Sequence, residues 1–382
     1  MKKWLVAVMC LFICTSAVQA GDGDGKDTLI DILKKKSVLN EEEAALLKGK
    51  KSPAEEEDVW KEAKVKVGGL LKLSALFEDP QGQADNNNYF KVDDVSLNIK
   101  GSYGKDFEFL VQPHCSLSTQ GGGTVDTWDM FIEYVRFPVK FRLGKTQYPG
   151  SLGAFLPAAK LDFATRPKMC AETALPQCRD IGLMLYGDPL VTKVCERELK
   201  LRLYGMVSNG KKPRTTAMGE GMMFTTRAEL TVEKLVSFGA CYLTDYQTHE
   251  LGEIQTGGYG DVDYLRYGAT DATVFLGPCR FGGEFIHGRV EDASVAKPFE
   301  GYYLFGFYNL NSYAEVGARY EKWDRNRSER FRTEEITAGV NFMFNPKNPH
   351  SAKLQLDWRK TREGDPARTD VNAVQVLLQL LF

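Results

Sequence analysis

Two groups of residues in this sequence have types and spacing that could carry chemistry. His114 and Ser116, two apart in His114-Cys115-Ser116, put a base and a hydroxyl on one face of a strand, the pairing a lipid hydrolase would use. To meet lipid they would have to face outward. Phe107, Phe109, Val111 and Leu117 take the apolar side, which leaves His114 and Ser116 with Glu108 and Gln112 on the wet side. The second group is cationic. Lys72, Arg142, Arg202 and Arg227 fall on inward-reading strand positions, and Lys160, Arg166 and Lys168 fall in the long connection Gly150–Arg179. Cations placed around a water-filled passage draw anions into it without any reaction. These seven residues are therefore read as pore-lining or anion-binding, no catalytic residue is expected, and the chain is expected not to be an enzyme.

Metals and cofactors find no support. His249, His287 and His350 are dispersed without ligand spacing, and no CxxC or CxxCH occurs, so neither a metal nor another cofactor is expected. Six cysteines follow residue 20, and Cys170 with Cys178 is the disulfide candidate because the two bracket a short loop.

Strands must position these side chains. From Ser351 to Lys360 the residues alternate, with Ala352, Leu354, Leu356 and Trp358 against Lys353, Gln355, Asp357 and Arg359. The pattern returns in Val374, Val376, Leu378, Leu380 and Phe382, with Gln375 and Gln379 opposite. Successive strand side chains point to opposite faces, so this is period two. Leu199, Leu201 and Leu203 against Glu198, Lys200 and Arg202 repeat it. About sixteen such strands can be laid out from Val65 onward, with lipid outside and water inside. Tight turns such as Gly277-Pro278 alternate with longer polar excursions, another mark of an outer-membrane barrel. Gly150–Arg179 is the longest connection, and a loop of that length is functional more often than not. Phe155, Leu156, Leu161 and Phe163 suit a loop folded into the lumen, the alternative being an outer lid stapled through Cys170 and Cys178. The run Tyr302–Tyr308 reads as lipid-facing bulk with girdle tyrosines, the alternative being a sugar slide inside the pore.

Residues 1–20 read as a signal peptide, with Lys2 and Lys3, an apolar run and Val18-Gln19-Ala20 before Gly21. Residues 21–62 read as a short periplasmic helical extension and linker, and 63–382 as the barrel. With 51 acidic against 49 basic residues, a nucleic-acid partner is excluded. The fold class expected is all-β, a transmembrane antiparallel β-barrel of about 16 strands in the bacterial outer membrane.

Several stretches resemble the phosphate-selective porin O and P family: Thr28-Leu29-Ile30-Asp31, Phe131-Ile132-Glu133-Tyr134, Phe141-Arg142-Leu143-Gly144-Lys145, Glu335-Ile336-Thr337-Ala338, Asn345-Pro346-Lys347 and the Val374–Phe382 ending. The resemblance implies a sixteen-stranded homotrimeric channel whose basic lumen draws in phosphate or other inorganic anions. One stretch departs from it: Lys91-Val92-Asp93-Asp94 has aspartates where that family carries a basic cluster. Inward-reading acids and bases nearly balance, which lowers the expected field in the lumen. The function expected is passive diffusion of small hydrophilic solutes. The rival readings are a non-conducting structural envelope barrel and an outer-membrane lipid hydrolase.

Overall fold

The structure, a computed structural model, describes residues 63–81, 87–117, 123–173, 178–194, 196–210, 222–246, 264–292, 295–328, 332–365 and 368–382. The signal and helical-extension readings over 1–62 lie outside these residues.

Sixteen strands run in chain order: β1 (Ala63–Pro80), β2 (Asn87–Tyr103), β3 (Phe107–Leu117), β4 (Gly123–Tyr134), β5 (Val139–Gln147), β6 (Arg179–Val194), β7 (Arg197–Ser208) and β8 (Met223–Val232). They continue as β9 (Val236–Tyr246), β10 (Tyr264–Leu276), β11 (Cys279–Asp292), β12 (Val295–Asn311), β13 (Ala314–Asp324), β14 (Arg332–Met343), β15 (Ala352–Glu363) and β16 (Val371–Leu381). Each strand pairs with its sequence neighbours, and β1 pairs antiparallel with β16 from Leu70↔Leu381 to Pro80↔Val371, so the sheet closes. Closure leaves no strand edge, which is what a backbone in lipid requires.

The alternation read from the sequence holds around the wall. Leu73, Ile132, Leu143, Leu183, Phe238, Leu304, Ile336, Trp358 and Leu378 are exposed on the outside, Leu203 at 44% and Phe382 at 70%. A continuous apolar band of this kind is a lipid-facing surface. At one rim Phe107, Tyr134, Phe137 and Phe141 form a ring cluster with centroids 5.2–6.4 Å apart, the aromatic girdle at the short-turn end. Two prolines inside strands sit at register slips, where a ladder hydrogen bond can be lost: between Val111 and Pro113 on β3, and between Gly187 and Leu190 around Pro189 on β6.

The aromatic run on β12 corrects the sequence reading. The alternation splits it: Leu304 and Tyr308 are exposed outside, while Tyr303, Phe305 and Phe307 turn into the barrel. An unbroken aromatic run hides the period that charge reveals elsewhere, because both faces carry the same kind of side chain.

Candidate functional site

The long connection between β5 and β6 lies inside the barrel. It carries two short helices, α1 (Leu152–Phe155) and α2 (Lys168–Thr173), with a 3-10 turn at Ala158–Lys160 between them. A loop buried in this way must find partners for its own backbone, and the wall supplies them. At the start of α1, Ser151 makes no side-chain cap, and Glu284 of β11 replaces it, accepting from the N–H groups of Leu152 (2.6 Å) and Gly153 (3.0 Å). Glu321 of β13 does the same for α2, accepting from Lys168 (2.8 Å) and Met169 (2.5 Å). Between the helices Asp357 of β15 accepts from the Ala164 N–H at 2.6 Å.

Donors from the wall meet the loop carbonyls. Gln379 reaches Ala159 (2.9 Å), Lys353 reaches Leu161 (2.6 Å), Asn341 and Gln355 both reach Asp162 (2.8 Å each), and Arg319 reaches Thr165 (3.0 Å). Asp162 adds a two-point ion pair to Arg280 of β11, at 2.7 and 2.9 Å. The near balance of inward acids and bases thus has a use. Along β11–β16 Glu284, Glu321, Arg319, Lys353 and Asp357 address the backbone dipoles of the loop. Apolar contact completes the seat: Tyr148, Met169, Cys170, Met184, Met206, Leu243, Tyr267, Ile286, Phe299, Tyr303 and Trp323 belong to one buried cluster between loop and wall.

Opposite this packed sector, the wall of β1–β7 carries charge clusters that range from buried, at Lys72 and Glu133, to partly exposed, at Lys200 and Arg202. Asp94 holds Lys72 at 3.3 Å and His114 at 3.4 Å, and His114 stacks on Trp128 with centroids 3.8 Å apart. Glu133 accepts from Arg142 and from Tyr186, each at 2.6 Å, and the Arg142 guanidinium lies over the Phe131 and Tyr186 rings. Asp188 binds Arg202 (2.5 and 2.8 Å) and Lys200 (3.1 Å) nearer the short-turn rim. The loop faces this sector with Phe155, edge-on to Tyr204 at 5.5 Å. On this side the wall turns paired charges and aromatic rings toward the loop's inner flank.

The seven cations expected to act on solutes divide under this geometry. Lys72, at 2% exposure, is committed to Asp94, and Arg142 and Arg202 to Glu133 and Asp188. Arg227 is buried, pairs with Glu229 (2.7 Å) and Asp271 (2.8 Å), and donates to Gly150 O. Gly239 lies between Arg227 and Asp271 on the intervening strand, and a Cβ there would sit 2.4 Å from both side-chain ends, so any larger residue would push the pair from this position. Arg166 bonds the Gly153, Ala154 and Leu156 carbonyls at the end of α1, and Lys168 pairs with Glu363. These two hold the loop together and down. Lys160 is exposed and has no ion pair among the described residues.

The expected Cys170–Cys178 staple is absent, and both thiols are free and buried. Cys170 Sγ lies 3.4 Å from Glu284 Oε2, held there by the packing of α2 against α1. Burial and then the Glu284 and Glu321 carboxylates push the Cys170 thiol well above its ordinary value, and burial raises Cys178. Little thiolate forms near neutrality, so a maleimide should label these positions at least about tenfold more slowly in the folded barrel than in urea. Labelling after denaturation without reductant should reach both; a thiol pair that stays blocked would mean the bridge exists.

Glu284, Asp271, Arg280 and Glu335 were not among the side chains assigned inward from the sequence. On β11 the cause is visible in Arg280-Phe281-Gly282-Gly283-Glu284-Phe285, where two glycines interrupt the alternation. Phe281 and Phe285, four apart and both exposed, carry the signal that places Arg280 and Glu284 inside.

No family profile and no curated protein matches this chain. Solved structures do resemble it. An anion-selective porin from Comamonas acidovorans is 11% identical, with a TM-score of 0.63, covering 84% of this chain and 100% of its own. The outer membrane channel DcaP of Acinetobacter baumannii is 11% identical, with a TM-score of 0.59, over 84% of this chain and 98% of its own. In-vitro folded OmpT, an outer membrane protein of Vibrio cholerae in its trimer form, is 10% identical, with a TM-score of 0.57, over 84% and 99%. The likeness is one of fold: the chain is built as a sixteen-stranded barrel of the outer-membrane kind.

Proposed function

We propose that this chain works in the bacterial outer membrane as a porin, a passive channel for small hydrophilic solutes, inorganic anions among them. The observation that carries the reading is a closed barrel whose longest loop is seated against one half of the wall, while the other half carries paired charges, those at Lys200, Arg202 and Asp188 partly exposed. A loop fixed in this position narrows a passage without sealing it, and paired charges keep water in the passage without trapping ions. Likeness to a porin printed as anion-selective supports the class, and likeness to a protein solved in a trimer form supports a homotrimer.

The pairing argues for weak charge preference. Six of the seven candidate cations have carboxylate or carbonyl partners, so phosphate is better read as one permeant among several than as a tightly held ligand. Lys160 is the loop cation left to bias the traffic. No reaction is part of this proposal: His114 stacks on Trp128 and faces Asp94, which supports a wall role over attack on lipid.

Planar bilayers test the reading. Stepwise current is expected, with a reversal potential in a potassium chloride gradient displaced modestly toward chloride. Lys160→Gln should remove most of that displacement, by itself as much as neutralising Lys160, Arg166 and Lys168 together. Absence of steps from folded protein would instead favour a plugged structural barrel.

A further inference from the structure

Beneath the loop, toward the short-turn mouth, the barrel holds a half-open cavity of about 270 Å3. Its floor and sides are apolar: Leu156 and Phe163 from the loop, Phe275 from β10, Tyr303 and Phe305 from β12. Its polar boundary holds Arg280, Arg319, Asp162, His350 and Lys160. Arg280 is committed to Asp162 and Arg319 to Glu335 and the Thr165 carbonyl, so the charges around the apolar body cancel except at one place. That place is Lys160, exposed and without an ion pair among the described residues. Small, hydrated inorganic anions gain nothing from Leu156, Phe163 and Phe305, and a neutral apolar molecule gains nothing from the ammonium.

The geometry points to a binding site for a small amphipathic anion, a carboxylate on a single ring or short apolar body, with its charge on Lys160 and its body against Phe275 and Phe305. The size agrees. This volume suits one substituted ring and lies below the roughly 300–1,000 Å3 of sites for drug-sized ligands. Apolar burial supplies affinity and the single ammonium supplies orientation. Such a site makes the passage selective by retention: a solute that dwells under the loop enters the narrow sector more often than one that does not, and it competes with inorganic ions for the same mouth. The inference rests on the channel reading only for the route by which the ligand arrives.

Binding can be measured apart from conduction. Purified barrel in uncharged detergent is titrated with benzoate, followed by saturation transfer from protein to the ring protons, with phosphate and cyclohexanol as competitors. Benzoate should bind, phosphate and cyclohexanol should each compete at least about tenfold less well, and Lys160→Gln should weaken benzoate at least about threefold, as loss of one partly solvated charge implies. Thr273→Trp, which fills the cavity from β10, should abolish transfer; retained heat-modifiable mobility in gels shows that both variants are folded. Equal benzoate affinity in the wild type and both folded variants would overturn the site, as would phosphate competing as well as benzoate. A barrel that binds benzoate in this way yet passes no current would sink the channel reading and leave the site standing.

Discussion

Replacing Glu284 and Glu321 together by alanine should raise the single-channel current and make it noisy. Each carboxylate accepts from two N–H groups at the start of a loop helix, and each is buried. Their removal leaves four donors without acceptors inside the barrel, at about 1–3 kcal/mol for each buried group left unsatisfied. The remaining contacts of the loop, chiefly those from Lys353, Gln379, Asn341 and Arg319, each contribute nearer 0.5–3 kcal/mol. The loss is therefore comparable with those polar contacts, and a loop held mainly by its apolar packing should leave its seat for part of the time. With the lumen's main obstruction mobile, conductance should rise at least about twofold, since pore cross-section and lining set the current. Glu108→Ala, whose carboxylate pairs with Lys100 and touches no part of the loop, is the control and should conduct as the wild type does. Unchanged, quiet current from the folded double variant would mean that these two residues do not hold the constriction.

Leu378→Arg tests the orientation of the whole wall. Leu378 lies on the outer face of β16, in register with Leu73 of β1 and Leu354 of β15, and is 47% exposed. An arginine placed there, well inside the apolar band, should cost about 2–4 kcal/mol in a bilayer, less toward either interface. Asn98→Arg on β2, pointing inward and half-buried, should cost less, about 0.5 kcal/mol, because a lumen position that still touches water behaves more as a protein surface than as a lipid-facing one. Urea unfolding from phospholipid vesicles reads both. Equal costs for the two arginines would contradict the assignment of lipid to one face and water to the other.

Much of the architecture was legible without coordinates. The inward or outward sense of β1, β7, β15 and β16 follows from period-two alternation, a property of each strand taken alone, and the strand number from counting such segments along the chain. That Gly150–Arg179 enters the lumen could be argued from its length and from Phe155, Leu161 and Phe163. Which cations face a solute could not be argued, because pairing is a relation between strands. Lys72 reads as a free inward charge until Asp94 lies beside it, and Arg166 as a filter residue until the loop folds back and offers it three carbonyls.

The sequence by itself determined that the chain forms a barrel and, on strands where charge alternates with apolar side chains, which residues face its interior, since the solvation demand on each side chain is local and repeats every second residue. Only the tertiary structure decided that the interior charges along β11–β16 serve the loop's backbone, that Cys170 and Cys178 stay apart, and that Lys160 is the loop cation left without an ion pair. Those outcomes depend on contacts such as Lys168 with Glu363 and Ala164 with Asp357, joining positions far apart in the chain. No pattern within one segment records the neighbour that closure of the barrel will bring.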